Sequence, residues 1–307
     1  MEKTVIIFNS RYPKIHPEVK RVNRKSVTWA EEMGIISADQ MGLLESEKIA
    51  WLTARGFPDL DFDVLQMATD WTVLFCLLDD HIENLQGSDS VMNFLAEVLQ
   101  VLKYGTCPSG ALGDCGFLRA AGDLHRRFFA IGSTEWIEQL IQRVGALFSA
   151  FHEESVRRHA GKPSSLADYL RLREETVGLQ VLFEFFYLKG TNVEGSTPSS
   201  CFRSRDLSRQ ASRIVGMEND IFTIGKELDS GDQSNVILSI MTELDVSIRV
   251  AMDEAVRMYE MEISSFAIKC RNLKFDSDES SLGAYALMLT DWINGHSIWA
   301  RETARYH

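Results

Sequence analysis

Apolar residues recur at i, i+3 and i+4 along most of this chain, the spacing that puts one face of a helix against a core. Prolines stand at 13, 17, 58, 108, 163 and 198, and from 199 to 307 there is none. Such long proline-free stretches predict helices. No alternation of period two is sustained, and no Asn-Gly or Asp-Gly turn joins two alternating runs. Thr4–Phe8 comes nearest to a strand and is read as an irregular N-terminal segment. Turn-forming residues cluster near 56–61, 105–116, 161–165, 190–200, 229–234 and 274–281, which divides the chain into helical segments. Segments 65–85 and 169–189 are apolar on more than one face, as helices in the middle of a large bundle are. With no repeat, low-complexity tract or linker, the prediction is one all-α domain over residues 1–307, a helical bundle around an apolar pocket.

Charge changes the picture. The chain carries 44 acidic and 32 basic residues, a formal −12, which argues against nucleic acid or an anionic membrane surface as partner. An anionic ligand would need metal ions or a local cluster of Arg and Lys. No apolar run is long enough to span a membrane. The N-terminus lacks a signal-peptide layout. Five cysteines without close pairing read as reduced thiols, which predicts a cytoplasmic protein. Monomer and homodimer both stay open.

The chemistry concentrates in two acidic stretches. The apolar run WTVLFCLL ends in DDHIE, residues 79–83. On a helix Asp79 and Glu83 share a face, and Asp80 lies about 100° around. Same-face carboxylates at the mouth of a buried segment suit a hard cation such as Mg²⁺. In GMENDIFTIGKEL, residues 216–228, Asn219, Thr223 and Glu227 fall at i, i+4 and i+8. An amide oxygen, a hydroxyl and a carboxylate on one stripe, flanked by Ile221, Phe222 and Ile224, form a chelating set. Cations accompany both: Lys226 beside the stripe, Arg173 before the apolar run LQVLFEFFYL, and Arg305-Tyr306 near the end. Two metal stripes with several cations describe a site for a Mg²⁺-bridged diphosphate.

On these residues the sequence resembles the bacterial class I terpene synthases over most of its length. Asp79–Glu83 matches the family's aspartate-rich DDxxD/E motif, with Glu at the last position. Asn219-Asp220, Thr223 and Glu227 match its NDxx(S/T)xxxE motif, with Thr at 223. Arg305-Tyr306 matches the C-terminal RY pair, and Arg173 stands at the diphosphate-sensor position. The segment from His16-Pro17 through Trp29-Ala30 to Gly34-Ile35 is also similar. The resemblance implies three Mg²⁺ ions, with Mn²⁺ as an alternative, and a linear prenyl diphosphate substrate. Farnesyl diphosphate is favoured; geranyl and geranylgeranyl diphosphate stay open. Asp79, Glu83, Asn219, Thr223 and Glu227 would hold metal. Arg173, Lys226, Arg305 and Tyr306 would donate to the diphosphate, and Asp80 would pair with an arginine in a closed state.

The implied reaction ionises an allylic C–O bond and cyclises the carbocation, releasing diphosphate. Aromatic faces can stabilise such a cation without capturing it. Phe75, Phe183, Phe186, Trp292 and Trp299 are the candidates, with Val177 and Gly178 at a helix break implied near 176–178. Trp292, Trp299 and Tyr306 recur every seven residues, which predicts one helical stripe with about 10 Å between successive rings. Loops 229–234 and 274–281 are expected to order when ligand binds. The alternatives are a chain-elongating trans-prenyltransferase and a silent prenyl-diphosphate-binding protein. Product analysis separates the first from a cyclase, and Mg²⁺-dependent diphosphate release separates an enzyme from a binder.

Overall fold

The computed structural model describes residues 14–106, 115–160, 165–188, 202–230, 234–273 and 280–306. Thr4–Phe8 and the central parts of both loops expected to order lie outside them. The described residues form helices and no strand. In chain order these are α1 (Val19–Glu32), α2 (Met41–Ser46), α3 (Ile49–Gly56), α4 (Phe62–Glu83), α5 (Ser88–Tyr104), α6 (Gly116–Ile131) and α7 (Thr134–Ala160). There follow α8 (Leu166–Thr176), α9 (Leu179–Leu182), α10 (Phe202–Ser230), α11 (Val236–Leu244), α12 (Ile248–Arg271) and α13 (Ser280–Trp299). None of them is long and apolar enough to cross a membrane.

Two helices carry the acidic stretches. Every side chain of α4 from Val64 to Leu74 is buried, the polar Gln66, Thr69, Asp70 and Thr72 included, and Gln66 and Asp70 meet Ser26 of α1 through hydrogen bonds of 2.6–2.8 Å. It packs on α1, α3 and α6, whereas α10 packs on α8, α12 and α13, so the two stretches approach the site from separate flanks of the bundle.

Segment 169–189 is not one helix. Arg173 lies in α8, which ends at Thr176; Gly178 then takes the left-handed conformation at φ 76°. The short α9 follows, and Phe183–Leu188 is a 3₁₀ turn. A Cβ on Gly178 would stand 2.6 Å from the Phe75 ring, so glycine is required by both backbone angle and space. Gly178→Ala should lower unfolding free energy by about 2–4 kcal/mol, from left-handed strain plus overpacking. A urea midpoint moved by less than half of that would contradict the packing.

The seven-residue aromatic stripe needs correction. Trp292 and Trp299 share α13, but the helix stops at Trp299 and Ala304–Tyr306 forms a separate 3₁₀ turn. Thr303 Oγ1 and Trp299 Nε1 both donate to the Glu47 carbonyl, at 2.7 and 3.0 Å, and this anchor turns the chain back. Tyr306 therefore lies edge-on to Trp299 with ring centroids 5.3 Å apart, rather than two turns along the helix.

Candidate active site

The end of α4 supplies the first wall. Asp79 is half-buried and Glu83 is exposed at the rim. Burial, with the Glu83 charge added, pushes the Asp79 carboxyl up to about 7, although Arg305 pulls it part of the way back. Asp80 points elsewhere. It accepts two parallel bonds from Arg305, Nη1 to Oδ2 and Nη2 to Oδ1, each 2.9 Å. Arg305 also donates to the Cys76 carbonyl at 3.2 Å and lies 3.5 Å from Glu47. The arginine pairing expected for Asp80 is thus present, and it ties the C-terminal turn to α4.

The second wall is α10. Thr223 Oγ1 donates to Glu227 Oε1 at 2.6 Å, and Asn235 Nδ2 donates to Glu227 Oε2 at 2.5 Å. Burial first, then the Asp220 charge, raises the Glu227 carboxyl to about 7 against those hydrogen bonds. Asn219 bridges two cationic or phenolic groups: its Oδ1 accepts from Arg173 Nη2 at 2.5 Å, and its Nδ2 donates to the Tyr306 hydroxyl.

Asp220, adjacent to the stripe, is fully buried and has a different task. It accepts from Arg173 Nε at 3.1 Å, from the Tyr169 hydroxyl at 2.5 Å and from the Val236 amide at 3.0 Å. Arg173 is thereby held in place by two residues of the NDxxT stretch.

All nine residues assigned to metal and diphosphate, Asp79, Glu83, Asn219, Thr223, Glu227, Arg173, Lys226, Arg305 and Tyr306, line one polar cavity of about 150 Å³. Sequence reasoning missed Phe151, Glu154 and Arg158, which line it from α7. Their spacing, i, i+3 and i+7, was visible, but only tertiary packing shows what that face meets. The six residues assigned to the hydrocarbon, Phe75, Val177, Gly178, Phe183, Trp292 and Trp299, stand outside this polar cavity. Phe75 stacks on Phe151 at 6.0 Å and so lies one ring away from it. Trp292 is fully buried, with Phe57 at 5.1 Å and Phe183 at 6.3 Å.

The donor set fits a hard divalent cation. Hydroxyl, amide and carboxylate oxygens converge, and burial pushes the Asp79 and Glu227 carboxyls up to about 7. Such oxygen donors, with one or two carboxylates among them, are of the kind that hold hard divalent cations. Protons must compete with the cation at Asp79 and Glu227, both near 7. Half-saturating Mg²⁺ should therefore fall about tenfold per carboxylate from pH 6 to pH 8, read by calorimetric titration. Metal-free stability has the opposite sign. An acid whose folded pKa is raised binds more protons folded than unfolded, so stability falls as pH rises from about 4 to about 7. A melting temperature that rises over that window in EDTA would contradict both shifts.

Comparison with known proteins gives the family and the fold. Residues 70–264 match the family description "Terpene synthase family 2, C-terminal metal binding". The (+)-T-muurolol synthase ((2E,6E)-farnesyl diphosphate cyclizing) of Roseiflexus castenholzii is 24% identical over 296 residues, covering 95% of this chain and 90% of that protein. The germacrene A synthase of Nostoc punctiforme is 25% identical, covering 85% of this chain and 81% of that protein. The solved structure of a cucumene synthase variant superposes with a TM-score of 0.83 at 22% identity, covering 98% of this chain and all of that one, and so shares the fold.

Proposed function

The chain belongs to terpene synthase family 2, and from that premise we propose that it is a Mg²⁺-dependent cyclase of a linear prenyl diphosphate, with farnesyl diphosphate the preferred substrate. The observation that carries this reading is the convergence of both acidic stretches and four diphosphate donors on one cavity. Bound Mg²⁺, expected as three ions, would neutralise charge developing on the departing diphosphate. Asp79, with Glu83 at the rim, would hold metal from the α4 side, and Asn219, Thr223 and Glu227 from the α10 side. Arg173, Lys226, Arg305 and Tyr306 would donate to diphosphate oxygens, where fixed donors stabilise the anion as the C–O bond breaks. Asn219 Oδ1, which here accepts from Arg173, is the atom that would hold metal, and the Arg173 edge it now occupies would then donate to the diphosphate. Phe75, next to Gly178 at the helix break, would present a ring to the carbocation. Trp292, Phe183 and Val177 would shape the surrounding apolar wall. Trp299 would act chiefly by seating Tyr306. We read residues 1–307 as one domain with a cytoplasmic location.

The test is incubation of the purified chain with Mg²⁺ and, separately, geranyl, farnesyl and geranylgeranyl diphosphate. Diphosphate release and gas chromatography–mass spectrometry of the extract are the readouts. Farnesyl diphosphate should give cyclic C15 products. No diphosphate release from any of the three would sink the proposal, and longer prenyl diphosphates in place of terpenes would make the chain an elongase.

A further inference from the structure

Glu218 precedes Asn219 by one residue and so turns about 100° away from the metal stripe. It is buried against α12 and α13 rather than facing the cavity. Both carboxylate oxygens are engaged: Oε1 accepts from the Tyr259 hydroxyl at 2.8 Å, and Oε2 meets His296 Nδ1 at 2.7 Å. Helices α10, α12 and α13 supply this arrangement, and His296 is buried as well. With Nδ1 donating to the Glu218 carboxylate, Nε2 is the ring nitrogen turned to the Tyr306 hydroxyl, 3.5 Å away. On its other side the same hydroxyl accepts from Asn219 Nδ2.

We propose that Glu218 and His296 are positioning residues for the Tyr306 hydroxyl, a role resting on the diphosphate-facing function given to Tyr306 above. Glu218 fixes the ring and tautomer of His296. His296 then selects the direction of the Tyr306 O–H, while Asn219 holds its oxygen. The contact to His296 is long, so a diphosphate oxygen at ordinary hydrogen-bond distance displaces it. The hydroxyl thus meets substrate with its rotor already ordered. Charge alone would not place a glutamate here, since Asn219 and Tyr306 need only hydrogen bonds. What the carboxylate adds is a fixed tautomer on the neighbouring imidazole.

Two measurements test this. In the metal-free protein, ¹⁵N NMR of His296 should show Nδ1 protonated, and Tyr306→Phe should move the Nε2 resonance. A ring protonated at Nε2 alone, or an Nε2 signal unmoved by Tyr306→Phe, overturns the pairing. In kinetics, Glu218→Gln should lower kcat about tenfold or more with KM little changed. The same substitution in a Tyr306→Phe background should cost almost nothing further, because its effect passes through the hydroxyl. Equal losses in both backgrounds would mark a merely structural residue and overturn the proposal. Should Glu218→Gln fail to fold, His296→Gln serves the same cycle. A wild-type protein that releases no diphosphate strikes the functional reading, and the NMR arm then decides the pairing alone.

Discussion

Glu227→Gln should lower Mg²⁺-dependent diphosphate release by about a thousandfold and leave the helical circular dichroism intact. The substitution keeps size and shape but removes the charge proposed to hold a cation. Removing a single preorganised donor from a site of developing charge typically costs about 10²–10³ in kcat, and a charged metal ligand does at least as much. Stability should not follow activity down. The Glu227 carboxyl is pushed up to about 7, so its ionised form already sits unfavourably in the metal-free fold. A neutral amide relieves that desolvation. The offsetting loss is one hydrogen bond, because an amide cannot accept fully from both Thr223 and Asn235, worth about 1 kcal/mol. The two effects nearly cancel, so the melting temperature should stay within a few degrees of wild type. Asn219→Leu gives a useful contrast. It removes a proposed metal ligand and also the acceptor for Arg173 and the donor for Tyr306, so it should lose both activity and some stability. Near-wild-type turnover of Glu227→Gln at ordinary Mg²⁺ would remove α10 from the metal site.

That Asn219, Thr223 and Glu227 share one stripe was legible because it depends only on helical period. Asn219, Thr223 and Glu227 share a face in any α-helix, and α10 is one. Asp220 shows where that logic stops. Its identity fits a ligand as well as Asn219 does, and only packing reveals that Tyr169 and Arg173 claim it. The C-terminal turn failed for a related reason. Seven-residue spacing predicts a stripe only while the helix continues, and this one ends because Glu47, far away in sequence, captures Trp299 and Thr303. The break at 176–178 was reached through family resemblance. Locally it is Gly178 in the left-handed conformation that ends α8, while the close approach of Phe75, which leaves no room for a side chain there, is a contact between distant segments. The α7 side of the cavity was hidden because an amphipathic face does not say what it faces.

Arg305→Ala should lower kcat by about 10²–10³, and Arg305→Lys by nearly as much. The guanidinium makes two parallel bonds to Asp80 and one to the Cys76 carbonyl, and Glu47 stands beside it. A lysine keeps the charge but can reproduce only one arm of that fork. Arg305 is largely buried while Asp80 is 41% exposed, so the pair is a partly screened clamp and should contribute only about 1–2 kcal/mol to stability. Its proposed weight in catalysis comes from position. It fastens the turn that carries Tyr306 to the end of α4, one residue from Asp79, and Tyr306 reaches Asn219 on the opposite wall. Releasing the clamp therefore loosens both walls of the cavity together, and a misplacement of about 1 Å can cost about a hundredfold in rate. Asp80→Asn should show a smaller loss of the same kind, since its amide can still accept one bond. The decisive measurement is the double variant. If Asp80 and Arg305 act as one clamp, Asp80→Asn with Arg305→Ala should be no slower than Arg305→Ala alone. Losses that multiply would mean that Asp80 serves the metal directly and that the observed pairing is incidental to turnover.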